Sequence, residues 1–253
     1  MKKLMKYTVR YIPRKHLHTI TPFVTPITSL IFSGSKYHCP VCDSNFRKLL
    51  PYGVKSRENA LCPSCFSLER HRLMWLYLKN KTDFFTKKAK MLHVAPEQTF
   101  LKRFEKLPNL DYITADLESP WAKVKMDIHD IPFEDNTFDV IFCNHVLEHV
   151  EDDIQCMREL RRVLKPNGWA LLQSPMDFNL KETIEDPSVT DPNERERLFG
   201  QKDHLRMYGL DYGKRLESAG FKVKPSKLIE ELSETEVKKF CLMEKEYLYI
   251  CYK

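Results

Sequence analysis

From residue 90 onward the chain alternates short apolar runs that end on polar residues with stretches whose apolar positions recur at helical spacing. Residues 91–95 form the first such run, followed by a helical stretch through Phe100, Leu101, Phe104 and Leu107. Residues 112–115 end at Asp116, residues 124–126 at Asp127 and residues 138–143 at Asn144. A helix beginning at Asp152 and Asp153 turns Ile154, Met157, Leu160, Val163 and Leu164 to one side and stops at Pro166, Asn167 and Gly168. Residues 169–173 are the next strand, and a tail of helix (211–219), strand (221–223) and final strand (247–252) closes the pattern. Such alternation predicts a parallel sheet covered by helices on both faces, with ligands at the carboxyl ends of its strands. Upstream, a helical pattern opens at residues 67–70 and runs through Leu73, Met74, Leu76, Tyr77 and Leu78. His71 and Arg72, at its start, read as exposed polar positions.

The cysteines add a second module. Cys39 and Cys42 form one C-x-x-C knuckle and Cys62 and Cys65 another, 19 residues further on. Two thiolates from each knuckle can close a tetrahedral Zn2+ site, and four sulfur ligands leave no position open for substrate, so such an ion is structural. Phe46, Leu49, Leu50 and Tyr52 are placed to cover it. Cys143, Cys156, Cys241 and Cys251 lie in apolar surroundings and read as small buried hydrophobes. Reduced thiols holding zinc point to a reducing compartment, and the expected location is cytoplasmic.

Composition bounds the rest. The 253 residues, 42% hydrophobic and 30% charged, suffice for one α/β core and a small appendage. The most apolar stretch, residues 20–32, contains Pro22 and Pro26 and four hydroxyl residues, too interrupted to span a bilayer. Pro13, Arg14 and Lys15 likewise argue against a secretory signal. The net charge of +6 belongs to residues 1–36, which hold seven Lys or Arg and no acid. That basic arm could meet an anionic membrane surface or RNA, or stay solvated. The expected organisation is a basic arm (1–36), a four-cysteine module with its following helix (37–80) and a main domain (81–253).

Residues 127–150, followed by 158–168, resemble the centre of class I S-adenosylmethionine-dependent methyltransferases, of the type 11-like kind. The likeness is dense over about residues 90–175, and its combination with four cysteines resembles a bacterial subgroup of these enzymes. It implies a Rossmann-like α/β sheet, mostly parallel with its last strand antiparallel, beside a small N-terminal zinc module. It also implies S-adenosylmethionine as cofactor. Asp116 matches the acid that takes the ribose hydroxyls, with Leu117 beside it. Asp127 matches the acceptor of the adenine amino group, with Ile128 packed on the ring. Asn144 and His145 match positions beside the methionine end.

One departure from that family lies after the first strand. A glycine-rich turn with an acid is usual there, whereas this chain has His93, Val94, Ala95, Pro96 and Glu97, and no glycine from residue 54 to 167. His93, Ala95 and Glu97 are therefore the expected cofactor contacts on this turn, with Glu97 on the ammonium. A non-phosphorylated ligand tolerates the loss of a glycine cradle. Residues 145–149 also fit the H-x-x-E-H pattern of inverted zinc peptidases. That site needs the motif within a helix and a further ligand downstream, while here it straddles a strand exit, so His149 reads as structural or pocket-lining.

The acceptor side is less marked. Residues 176–203 are an acidic, polar insertion that reads as a lid, with Gly200 and Gly209 as hinges. His204 is the expected general base, Arg206 the anchor for a carboxylate or phosphate, and Tyr208 a further catalytic hydrogen-bonding group. A solvated helix entry near Asp203 is the plainer alternative. No Asn/Asp-Pro-Pro-Tyr sequence or catalytic cysteine pair follows the fourth strand, which favours O-methylation of a small-molecule or glycan acceptor. RNA methylation, with the zinc module gripping the backbone, and a noncatalytic interaction protein on the same scaffold are the alternatives.

Overall fold

A computed structural model describes residues 25–53 and 56–253. The arm assigned to residues 1–36 falls mainly outside the described residues. The chain divides into two compact units, and the smaller one takes residues up to 80 together with residues 229–246. Assigning everything after residue 80 to the main domain is thus corrected, because the helix Glu234–Phe240 belongs with the cysteines.

In the smaller unit, β1 (Ser33–Cys39) pairs antiparallel with β2 (Ser44–Phe46), and β3 (Leu50–Tyr52) with β4 (Arg57–Leu61). Cys39, Val41, Phe46, Leu49 and Cys62 form its buried centre. Tyr52 is exposed and does not cover the cysteines. Helix α1 (Glu69–Lys81) follows the second knuckle, as its spacing predicts. Its first turn differs from expectation, because His71 and Arg72 are buried. His71 Nδ1 accepts from the Leu68 amide at 3.0 Å. Arg72 donates to five carbonyls, those of Asn59, Ala60, Ser67, Phe240 and Cys241. Backbone that would otherwise be buried without a donor is satisfied by one guanidinium, which ties residues 240 and 241 to the knuckles.

The larger unit is built on a seven-stranded sheet in the order β12-β13-β9-β8-β5-β6-β7. Strands β5 (Ala89–Val94), β6 (Leu110–Asp116), β7 (Val124–Lys125), β8 (Phe138–Asn144) and β9 (Leu164–Gln173) are parallel. Strand β13 (Leu248–Tyr252) is antiparallel to both β9 and β12 (Lys222–Ser226). This is the Rossmann-like, mostly parallel sheet that the alternating pattern predicts, with the antiparallel last strand that the resemblance implies. Strand β8 is buried almost throughout, which accounts for its unbroken apolar run. Its core is packed by the apolar side of α3 (Asp153–Val163), through Cys156, Met157, Leu160 and Val163. Asp152 caps that helix, accepting from the Gln155 amide. Helix α2 (Gln98–Phe104) contributes Phe100 and Phe104 to the buried residues, with Phe104 against Tyr112 and Phe142. Chain order runs outward from β5 to β7 and then returns to β8 on the other side of β5, so a crevice opens between the carboxyl ends of β5 and β8.

The insertion after β9 is not a detached flap. Strand β10 (Ile184–Glu185) pairs with β11 (Arg206–Met207), Asp177 donates to the Tyr208 carbonyl and Leu210 to that of Leu180. The glycines follow suit. Gly200, at φ +88°, ends α4 (Pro192–Phe199) as a left-handed cap. A side chain on Gly209 would lie 2.7 Å from the Glu182 carbonyl, so this glycine permits close backbone approach and is no hinge. Among the described residues no helix is long and apolar enough to cross a membrane.

Candidate functional site

The crevice between β5 and β8 is lined by a connected polar set. His93, fully buried at the end of β5, places Nδ1 2.7 Å from the Tyr112 hydroxyl and Nε2 2.7 Å from Glu97. Asn144, at the end of β8, donates from Nδ2 to Glu97 at 3.2 Å. His93 therefore positions Glu97 instead of touching a ligand itself, and Asn144 fixes the same carboxylate from the other side. Ala95 occupies the place of the missing glycine and adopts its conformation, with φ +47° and its amide bonded to the Ala115 carbonyl. A left-handed alanine is strained by about 1–2 kcal/mol, partly offset by the lower flexibility of its unfolded chain. Ala95→Gly is accordingly expected to stabilise the protein by about 0.5–1 kcal/mol in denaturant titration.

At the next strand ends, Asp116 accepts from the amides of Glu118 and Ser119, which holds its carboxylate at the tip of β6. Asp127 accepts from the amide and Nδ1 of His129, bonds that hold its carboxyl below the usual range. Leu117 is 54% exposed and available to a flat apolar ligand. Ile128 is 5% exposed, in the core with Met126 and Ile131, so the expected ring contact through Ile128 is corrected. His145 takes a positive φ of 56° just beyond β8, and its amide donates to the Gln173 carbonyl.

The residues expected to be catalytic separate into two kinds. Arg206 is buried and donates to the carbonyls of Leu147, Val150 and Glu151 and to Glu185. Tyr208 is buried, its hydroxyl 2.7 Å from Asp153 and 3.1 Å from the Leu147 carbonyl. Both clamp the 147–151 turn, a positioning task that replaces the substrate anchor and hydrogen-bonding group expected from sequence. Burial would push the Asp153 carboxyl up, but bonds from Arg215 and Tyr208 outweigh it and hold it down. His204 is the exception. Its Nδ1 lies 2.8 Å from the Phe199 carbonyl and must carry the proton, which leaves Nε2 as a lone pair, and burial pushes the imidazole further toward its neutral form.

Glu148 and His149 meet His204 there, one ligand atom from each lying within 4.8 Å of the others. The sequence singles out both within the 145–149 motif but gives no hint that His204 joins them, since it lies 55 positions beyond His149. In the smaller unit the four cysteines do converge, with Cys39 Sγ 3.6 Å from Cys65 Sγ and Cys42 Sγ 3.7 Å from Cys62 Sγ. Ser67 Oγ lies 3.2 Å from the sulfurs of Cys39 and Cys65.

Residues 82–172 match the family described as a methyltransferase domain. An uncharacterized 37.1 kDa protein of transposon TN4556 from Streptomyces fradiae is 43% identical over 105 residues, 37% of this chain and 29% of that protein. A malonyl-[acyl-carrier protein] O-methyltransferase from Halorhodospira halophila is 29% identical over 107 residues, 41% of this chain and 34% of that one. The chain spans less than a third of the length of the first curated relatives it matches. Among solved structures, a SAM dependent methyltransferase from Archaeoglobus fulgidus aligns over 72% of this chain and 93% of its own, at 16% identity and a TM-score of 0.47.

Proposed function

We propose that this protein transfers a methyl group from S-adenosylmethionine to a hydroxyl or similar group of a small-molecule or saccharide acceptor, and that its four cysteines hold a structural zinc ion. The observation that carries the first part is the row of acceptors Glu97, Asp116, Asp127 and Asn144 at successive strand ends within the methyltransferase-like segment. A ligand suited to three carboxylates carries a cation and several hydrogen-bond donors, which fits S-adenosylmethionine. Glu97, fixed by His93 and Asn144, would take the ammonium, Asp116 the ribose hydroxyls and Asp127 the adenine amino group. Bound there, the cofactor supplies an electrophilic sulfonium methyl. The cluster around His204 supplies the acceptor side, where a buried lone pair can receive the hydroxyl proton or hold what activates it. The zinc reading rests on the sulfur spacing, since an ion bonded at about 2.3 Å to four tetrahedral sulfurs separates them by about 3.8 Å.

The test is calorimetric titration of the zinc-loaded protein with S-adenosylmethionine and S-adenosylhomocysteine. Asp116→Ala and Asp127→Ala are each expected to weaken binding by about tenfold or more, the value of one charge-assisted hydrogen bond. A folded protein that binds neither ligand overturns the reading and leaves a noncatalytic scaffold. Binding of RNA with a steep salt dependence would shift the acceptor to nucleic acid.

A further inference from the structure

The turn after β8 and the segment after α4 bring together a buried carboxylate and two imidazoles. Glu148 is 1% exposed, and its Oε2 accepts from the Ser174 hydroxyl at 3.1 Å. Its Oε1 has no hydrogen-bond partner among the described residues, and neither has Nε2 of the buried His204. His145 Nδ1 stands 3.3 Å from Oε1, within ion-pair reach of it. His149 turns Nδ1 toward the Asp203 carbonyl at 3.2 Å and its carboxylate at 3.5 Å, which puts the proton on Nδ1 and presents Nε2 to Glu148 at 3.9 Å. The His149 and His204 rings meet edge to face, 4.8 Å between centroids.

A buried carboxylate and two imidazole lone pairs facing one another repel unless a proton or a metal cation joins them. The outer groups are those that orient metal ligands, for each imidazole gives its other N–H to a carbonyl or carboxylate and the glutamate is held by a hydroxyl. We propose that Glu148, His149 and His204 bind a divalent transition-metal ion of the zinc type, separate from the cysteine site. Two imidazoles and one carboxylate are a donor set for such ions, and three protein ligands leave a coordination position for an acceptor oxygen. Bonds of about 2.0–2.1 Å need tetrahedral donors about 3.4 Å apart, so the partly exposed His149 closes on Glu148 by about half an ångström and the widest pair of the three by up to about 1.4 Å. The set differs from that of an inverted zinc peptidase, because His145 is not among the three. The ion's role as a Lewis acid toward the acceptor hydroxyl rests on the methyltransferase reading, with His204 then holding the ion instead of taking the proton. Its binding does not rest on that reading.

The experiment titrates the full chain, its cysteine site already filled with one zinc, with further Zn2+ against a competing chelator. A second equivalent is expected in the wild type, weakened by more than about 100-fold in Glu148→Gln and His204→Ala, while Asp203→Ala loses about tenfold. Retention of the first zinc in each variant shows that the cysteine unit is intact, and thermal melting with His204→Gln as the conservative variant checks the rest. With Co2+ the second equivalent should add absorption without more sulfur charge transfer. No second equivalent, or one indifferent to Glu148→Gln and His204→Ala, overturns the proposal. S-adenosylmethionine titrated into the same samples separates the two readings. Cofactor binding without a second metal sinks only the metal site, and a second metal without cofactor binding sinks only the methyltransferase reading.

Discussion

Stripping zinc from the cysteine unit with a strong chelator, or replacing Cys42 by Ser, is expected to unfold residues 25–80. The buried cluster around the knuckles is five residues, two of them cysteines of the proposed site, and the strands are three to seven residues long. So small a cluster around the knuckles falls short of the conformational entropy of that segment, and on the zinc reading the ion supplies the difference. Structural zinc in small domains is worth about 10–16 kcal/mol at neutral pH, more than the whole stability of a typical domain. Without the ion, thiols at 3.6–3.7 Å cannot ionise together, and Cys62 is pushed far up by contact with Cys39 and its neighbours. Limited proteolysis with and without chelator should show cleavage appearing between residues 43 and 61, and fluorescence of a released zinc indicator should track it. A chelated protein resistant to cleavage there, with its zinc gone, would show that protein contacts alone hold the unit.

The two modules were legible in the sequence to different depths. Strand and helix order after residue 90 follows from runs whose length and polar ends have few alternative packings, and four cysteines in two knuckles specify their own meeting. Return of residues 229–246 to the cysteine unit was not legible, because it rests on buried Arg72 reaching carbonyls more than 160 residues away and on packing of Phe240 on His38 and of Cys241 on the cysteine cluster. A carbonyl carries no sequence signature. The same blindness explains Arg72 and Arg206, both read as exposed or ligand-facing because charge on a polar background usually is. Ala95 marks the reverse case, where an unfamiliar residue keeps the backbone conformation of the glycine it stands for. Convergence of Glu148, His149 and His204 depends on how the segment after α4 runs back over the strand ends, which periodicity does not determine.

Arg206→Met tests whether that arginine belongs to the substrate or to the fold. If it anchored an acceptor anion, its loss would raise KM and leave the melting temperature alone. The structure predicts the opposite order of effects. The side chain is 4% exposed and spans three carbonyls of the 147–151 turn and the Glu185 carboxylate, so a methionine fills its volume and satisfies none of them. Removing one member of such a buried charged network destabilises by about 3–5 kcal/mol, which in a chain of this size lowers the melting temperature by about 10 °C. Arg206→Lys should recover little, because an ammonium reaches one or two of those acceptors and lacks the planar fork. Tyr208→Phe, losing a single bond near Asp153, should cost about 1–2 kcal/mol. The turn that these residues hold carries Glu148 and His149, so Arg206→Met should also loosen the second metal, even though Arg206 is not one of its ligands. An Arg206→Met protein that melts with the wild type and differs only in acceptor affinity would return this arginine to the substrate.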